Sequence, residues 1–540
     1  MSPVSAEQLN DIRNRVESFA RDQMAEMEMP GVQIALTDRD GLIGAFNLGY
    51  ANLDAQKPVT DETLFEFGSI GKSFTAICLL QLAAEGKVEI DSPMAGQLPW
   101  FEVRSQYEPI TVGHLLSHTS GLVSGTDFTP EQRYEVWSLR NTDTMWAPGT
   151  KFHYSNVGYK ALGLLIERVT GKPYGEVVRE RIFEPLGMTG AVGAITHDMR
   201  HRLAVGYQET FDDRPRLLGH GVVPATWLET DSGDGCLCAS ASDLAIYLRM
   251  LINRGAYPGG RILTEEQFAT LSTPRIVTSE EDDEAYGYGV SVSATRPPGP
   301  IGHSGGMVGY ISDMRGDADT GYGALAFTNT MSGVWRITKY ALELLNAASS
   351  GAEEPEPPVR EESGFEGLAG RYVNASSAIQ IDENAGEFTL VRDGCRFPLR
   401  KTVWMDGNLV DDHPGENLFP WHALRNDDET IECIVHGPDV WVPEGADLPK
   451  PTDPELARLA GHYRANNPWQ SNFRIVARGD SLYRVWAGGD EQKLTRVGDA
   501  WTGESDEDGP EQFWIEVFVD GLVGRVRDQL GSSWERSAAP

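Results

Sequence analysis

Phe67-Gly68-Ser69-Ile70-Gly71-Lys72-Ser73-Phe74 is the stretch on which the reading of this chain turns. Ser69 and Lys72 stand three residues apart, and the segment that follows, 74–85, is rich in Leu, Ala and Ile before Gly86. That composition predicts a helix with Gly86 as its stop. Residues i and i+3 lie side by side on a helix. The Ser69 hydroxyl is therefore expected beside the Lys72 amine at the positive end of a helix. That end favours a developing oxyanion and discourages a proton on the lysine. A serine hydroxyl is a weak nucleophile until a neighbour takes its proton. Ser-x-x-Lys alone is common by chance, so the rest of the chain has to supply the context.

Upstream, Leu9, Ile12, Val16, Phe19 and Met24 recur at helical spacing over 5–27, and Pro30-Gly31 ends the pattern. Segments 32–37 and 42–48 read as two strands joined by Asp38-Arg39-Asp40-Gly41, a hairpin signal. An antiparallel sheet with helices packed on it is expected. Downstream, 86–230 is helical and loop-rich. His114 and His118 stand at i,i+4, as do His197 and His201, but no third ligand lies nearby in sequence. All four read as structural histidines, and no metal site is expected. Tyr154-Ser155-Asn156 follows a Pro148-Gly149-Thr150 turn and leads into a helix over 157–169. A further helix is expected over 240–253, capped by Ser242 or Asp243. Three strand-like pieces, 286–292, 307–314 and 323–328, come next. Gly302-His303-Ser304-Gly305-Gly306 leads from the first to the second. A last helix, 334–346, is expected beside the first one on the same sheet.

At 540 residues the chain needs two to four domains. Its formal net charge of −34 argues against nucleic acid or an anionic membrane surface as partner. No apolar run follows Arg13 and Arg15, and no stretch approaches the roughly 18 apolar residues of a membrane span. Cys78, Cys236, Cys238, Cys395 and Cys433 are odd in number and mostly in apolar surroundings, which reads as free thiols in a reducing compartment. A cytoplasmic location is the expectation. Residues 1–346 are expected to form the first domain, and 347–363, rich in Pro and Glu, a linker. Beyond it Leu368-Ala369-Gly370-Arg371-Tyr372 recurs as Leu459-Ala460-Gly461-His462-Tyr463. Two small antiparallel β-barrels, 364–446 and 455–540, with 447–454 between them, are the economical reading.

Ser69-x-x-Lys72, Tyr154-Ser155-Asn156 and His303-Ser304-Gly305, in that order, resemble the motifs of the penicillin-recognising serine hydrolases. The similarity is to the class C β-lactamase-like group, peptidase family S12, and extends to 114–122, Pro148-Gly149-Thr150, Pro185-Leu186-Gly187-Met188 and Gly306. It covers roughly 5–346. It implies an α+β fold: a β-lactamase/transpeptidase-like domain, with an antiparallel sheet flanked by helices plus an all-helical region. A hydrolase core with two following lipocalin-like barrels resembles the layout of bacterial D-aminopeptidases. The resemblance implies that Ser69 is acylated, that Lys72 or Tyr154 is the base, and that Ser69 and Gly306 N–H groups form the oxyanion hole. Asn156, Ser304 and Gly305 are implied for substrate binding, and Lys72 and His303 are the candidate cations beside Tyr154. His303 stands where β-lactamases of this type usually carry lysine, and histidine there is more typical of peptidases. The expected substrate is a small peptide, amide or ester, without a cofactor. Peptidase or amidase activity leads, aminopeptidase-like and D-selective or directed at unusual peptides such as linearised microcystin. A carboxylesterase or β-lactamase on the same site, or a non-catalytic peptide-binding protein, are the alternatives. A homodimer is the assembly considered. In D-aminopeptidases a loop from the last barrel reaches the cleft. The acidic segment 503–511 is the candidate for such a loop here, and 280–284 is its rival.

Overall fold

A computed structural model of the chain describes residues 4–125, 131–359, 364–403, 408–411, 413–414, 416–503, 511–517 and 523–537. The main helices are α1 (Ala6–Glu26), α2 (Gly71–Ala84), α3 (Asn156–Thr170), α4 (Ala241–Ile252) and α5 (Trp335–Ser350). The strands of the main sheet are β1 (Gly31–Thr37), β2 (Leu42–Asn52), β3 (Lys57–Pro58), β4 (Ile276–Ser279), β5 (Glu284–Tyr286), β6 (Ser291–Ser293), β7 (Pro300–Met307), β8 (Tyr310–Asp317) and β9 (Tyr322–Thr328). Among the described residues they form one nine-stranded antiparallel sheet in the order β4-β5-β6-β7-β8-β9-β1-β2-β3.

β1 is buried at every position, so both faces of the sheet must be covered. On one face α1 and α5 pack Ile12, Val16, Phe19, Tyr340 and Leu344 against Val32, Ile34 and Leu36. On the other, Gln33 Oε1 accepts from the Ala241 N–H at 2.5 Å and so ties β1 to the start of α4. α2 has no polar stripe: ten of its first eleven residues after Gly71, Lys72–Leu80 and Leu82, are buried. A helix apolar on all sides belongs in the interior, here between the sheet and the helical region.

Several elements differ from the expectations. The strand expected over 286–292 is two short strands, β5 and β6. Gly289 between them has φ +70°, and a Cβ there would lie 2.6 Å from the Lys72 carbonyl oxygen, so the chain turns to pack against α2. The strand expected over 307–314 is split by Gly309 at φ +86°, with Met307 closing β7 and Tyr310 opening β8. α4 is capped by Ser240, whose Oγ accepts from Asp243 N–H at 3.2 Å, and not by Ser242 or Asp243. α5 continues to Ser350, four residues into the expected linker, and ends at Gly351 in the left-handed region.

The chain folds into two compact units, Met1–Gln208 with Val223–Pro358, and Glu209–Val222 with Val359–Pro540. The second unit contains two closed eight-stranded antiparallel barrels, spanning 370–443 and 461–536. Each repeated Leu-Ala-Gly-x-Tyr motif makes the same contact. Tyr372 OH donates to Leu368 O at 2.9 Å, and Tyr463 OH to Leu459 O at 2.8 Å. Residues 209–222, inside the stretch expected for the first domain, pack with the barrels: Val403 N–H donates to Arg216 O, and Arg464 and Asn472 bind Asp212. Among the described residues no helix is long and apolar enough to cross a membrane.

Candidate active site

The segment Gly68–Ile70 is a single 3-10 turn running directly into α2, so Ser69 sits just before the helix and Lys72 in its first turn. Lys72 is fully buried, and its Nζ lies 3.0 Å from Ser69 Oγ, 2.7 Å from Asn156 Oδ1 and 2.7 Å from the Asp234 carbonyl. Asn156 opens α3, where Ser155 caps the helix by accepting from Gly158 N–H at 3.1 Å. Asp234 was not among the sequence candidates. It lies in Gly233-Asp234-Gly235, threaded between two helices with no room for a side chain at either glycine. A Cβ on Gly163 of α3 would lie 2.8 Å from Gly233 N, and one on Gly71 of α2 would lie 2.9 Å from Gly235 Cα. The paired glycines were the available signal.

β7 lies against the Ser69 turn. A Cβ on Gly305 would come within 2.1 Å of Phe67 O and 2.8 Å of Ser69 N. Gly68, at φ +52°, meets Gly306 in the same way, at 2.6 Å from its carbonyl oxygen. Ser312 Oγ, on the neighbouring β8, donates to Phe67 O at 2.8 Å and fixes the turn from below. The register of β6 with β7 stops at Gly302, so among the described residues His303–Met307 have a β neighbour on one side only, β8. A cavity of about 330 Å³ opens along this edge, lined by Ser69, Tyr154, His303, Gly306, Ile311 and Trp335 among others.

Tyr154 stands over Lys72, whose Nζ is 4.8 Å from the ring centroid, and its ring is 6.2 Å from that of His303. His303 Nδ1 lies against the Ser304 carbonyl, and Nε2 is 2.8 Å from Tyr286 OH. A carbonyl only accepts, so Nδ1 carries the proton and Nε2 accepts from Tyr286. Burial, together with the charge of Lys72, pushes His303 down to about 4. The ring is therefore neutral near pH 7. Of the two groups expected as cations beside Tyr154, His303 is therefore not one near pH 7. Tyr286, unnoticed in the sequence, is what occupies the second histidine nitrogen.

His118 was read as structural, yet it brackets Tyr154. Its carbonyl accepts from His153 N–H at 2.8 Å and its Nδ1 from Ser155 N–H at 3.0 Å. Its ring lies 4.2 Å from the Tyr154 ring, and its backbone is held at φ +56°. Burial, reinforced by Lys72, holds it well below the ordinary histidine range, so it too is neutral. His114 serves a helix cap: its Nδ1 accepts from Thr111 N–H. Asn156 and Gly305 are drawn to the Ser69–Lys72 pair, and Ser304, exposed on β7, is among the residues that line the cavity. Two of the acids of 280–284 are engaged within their own hairpin, Asp283 with Thr295 N–H at 2.9 Å and Glu284 with Ser291 Oγ at 3.1 Å, and none of the five lines the cavity. Segment 503–511 lies outside the described residues apart from its two ends. Among the described residues no cluster of His, Cys, Asp and Glu could hold a metal ion.

The Beta-lactamase family profile matches residues 16–347. Penicillin-binding protein 4 of Amycolatopsis lactamdurans is 27% identical over 348 residues, 61% of this chain and 88% of that protein. Protein flp of Staphylococcus aureus is 28% identical over 210 residues, 37% of this chain and 42% of that protein. Among solved structures, the octameric penicillin-binding protein homologue from Pyrococcus abyssi superposes with a TM-score of 0.58 at 25% identity, covering 79% of this chain and 99% of that one.

Proposed function

The chain belongs to the beta-lactamase family of serine hydrolases, and from that premise we propose that it is an amidase or peptidase working through an acyl-enzyme at Ser69. The observation that carries this reading is the set of three contacts around Lys72 Nζ. Asn156 Oδ1 and the Asp234 carbonyl can only accept, so they take two N–H groups. In the neutral amine the lone pair is then left for the Ser69 O–H. The geometry suits Lys72 as the base that takes the Ser69 proton while Oγ attacks the substrate carbonyl carbon. The N–H groups of Ser69 and Gly306 would hold the resulting oxyanion. As the tetrahedral intermediate collapses, the C–N bond breaks and the proton passes to the leaving nitrogen, with Tyr154 above Lys72 as its relay. Water then attacks the acyl-enzyme by the same route.

The one-sided edge of β7 supports a peptide substrate, since an extended chain can add alongside His303–Met307. Short or unusual peptides, including D-residues, extend this reading. A cytoplasmic setting fits the five cysteines, which are all free. A carboxylesterase is the second reading. It is favoured by the neutral His303 and by the absence of Lys or Arg among the described residues lining the cavity, which leaves no fixed cation for a substrate carboxylate. The purified chain should hydrolyse L- or D-aminoacyl p-nitroanilides, and Ser69→Ala should lower the rate about a thousandfold or more. Wild-type turnover by Ser69→Ala would refute the mechanism. Turnover of p-nitrophenyl esters without anilides would select the esterase.

A further inference from the structure

Along β7 the cleft has two ends. Tyr154 stands at the His303 end. Three residues on, or about 10 Å along an extended strand, a Cβ on Gly306 would touch Ile311 Cδ1 at 3.4 Å. A leaving group must depart towards the proton donor, so it belongs at the Tyr154 end. The group that stays on Ser69 belongs at the other. What the chain offers there is Ile311 and Trp335, both lining the cavity. Trp335 is a large apolar side chain left 49% exposed at the first position of α5. Its ring lies directly over Gly333: a Cβ on that glycine would fall 1.3 Å from ring atom Cζ3. The indole is thus bedded on backbone on one side and open on the other. The carboxylate nearest to it in the lining, Asp313, is engaged by Arg315 Nε at 2.7 Å and by Thr338 Oγ1, so it is not offered to a ligand.

We infer that Trp335, bedded on Gly333 and flanked by Ile311, is the wall that receives the acyl side chain, and that the enzyme prefers uncharged apolar or aromatic acyl groups. This rests on Ser69 being the acylated nucleophile and holds for amides and esters alike. It assigns a specificity-determining role to a residue outside the three motifs. A phenyl ring moved from water onto an apolar wall gains roughly tenfold to a hundredfold in kcat/KM. A carboxylate there finds no counter-charge and gains nothing.

The test compares kcat/KM for p-nitrophenyl phenylacetate, acetate, butyrate and hemisuccinate in the full chain, alongside labelling of Ser69 by a fluorophosphonate. Phenylacetate should exceed acetate, and butyrate should exceed hemisuccinate, each by about tenfold. Trp335→Ala should collapse the phenylacetate-to-acetate ratio towards unity, Trp335→Phe should keep most of it, and Gly333→Ala, which displaces the ring, should lower it. Trp335→Arg should reverse the butyrate-to-hemisuccinate preference, and it reads the same wall should the alanine variant fail to fold. An unchanged phenylacetate-to-acetate ratio in folded Trp335→Ala, or an unchanged preference for butyrate over hemisuccinate in Trp335→Arg, overturns the inference while labelled Ser69 leaves the mechanism standing. A wild-type chain whose Ser69 is not labelled and which hydrolyses none of the four esters overturns both.

Discussion

Gly305→Ala tests whether the close approach of β7 to the Ser69 turn builds the oxyanion site. The added Cβ would sit 2.1 Å from Phe67 O, 2.7 Å from Ser312 Oγ and 2.8 Å from Ser69 N. An ordinary C···O contact is about 3.3 Å, so turn and strand must part by roughly 1 Å. The obstacles include backbone atoms on a turn that Ser312 pins, and the strain cannot be relieved by swinging a flexible side chain. Overpacking of this kind costs about 1–3 kcal/mol of stability. The effect on rate is larger, since a 1 Å misplacement costs about a hundredfold, and loss of one oxyanion donor costs about 2.7–4 kcal/mol of transition-state stabilisation. Gly306→Ala is the internal control. Its Cβ meets Ile311 Cδ1 at 3.4 Å, an ordinary contact, and the backbone N–H is retained. Burst kinetics with p-nitrophenyl acetate should show acylation slowed about a hundredfold or more in Gly305→Ala and less than about tenfold in Gly306→Ala. Circular dichroism would establish that both fold. Acylation by Gly305→Ala within a factor of about three of the wild type, or equal losses in the two variants, would refute the argument that this contact aligns the site.

The pH dependence of stability follows from His303, whose folded pKa of about 4 lies below the ordinary 6.5. As pH falls through 6.5 the unfolded chain takes a proton that folded His303 refuses, so stability is full above 6.5 and drops towards pH 4, by up to about 3 kcal/mol. His303→Asn should flatten that part of the curve in thermal melts taken from pH 7 to 4, and an unchanged slope would contradict the assignment. Lys160 and Glu135 form a buried pair at 2.6 Å behind Asn156. Lys160→Met alone should cost about 3–5 kcal/mol, and Lys160→Met with Glu135→Leu should recover most of it, as read by melting temperature. In the barrels, Tyr372→Phe and Tyr463→Phe each remove one repeated hydrogen bond and should each cost about 1 kcal/mol in denaturant melts. A loss in one copy alone would mean that the repeated motif does not do the same work twice.

What could be read from the sequence, and what could not, divides along the range of the interactions. Ser69 and Lys72 were legible because a helix fixes the relation of residues three apart, and the barrels because a repeated tyrosine closes the same local turn twice. The strands over 286–314 were misjudged because Gly289 and Gly309 turn where the chain meets α2 and where β7 folds back to β8, contacts that hydropathy does not record. The charge of His303 was open for the same reason. A histidine's protonation depends on what faces its two nitrogens, and Tyr286 comes from another strand. His118 shows the cost of reading spacing alone: its i,i+4 partner His114 caps a helix, while His118 itself clamps the residues on either side of Tyr154. The proposed nucleophile and base, Ser69 and Lys72, are therefore local features of the chain. The groups that hold them and their neighbours in place, Asp234 at Lys72, Ser312 at the Ser69 turn, His118 beside Tyr154 and Tyr286 at His303, are supplied from elsewhere in the chain and arrive only with the fold. The same holds for Trp335, whose exposure depends on a glycine two residues away being too small to displace it. On the proposed reading, a change of acyl preference within this fold needs no alteration of Ser69, Lys72 or Tyr154, because the wall proposed to receive the acyl group belongs to α5 and β8.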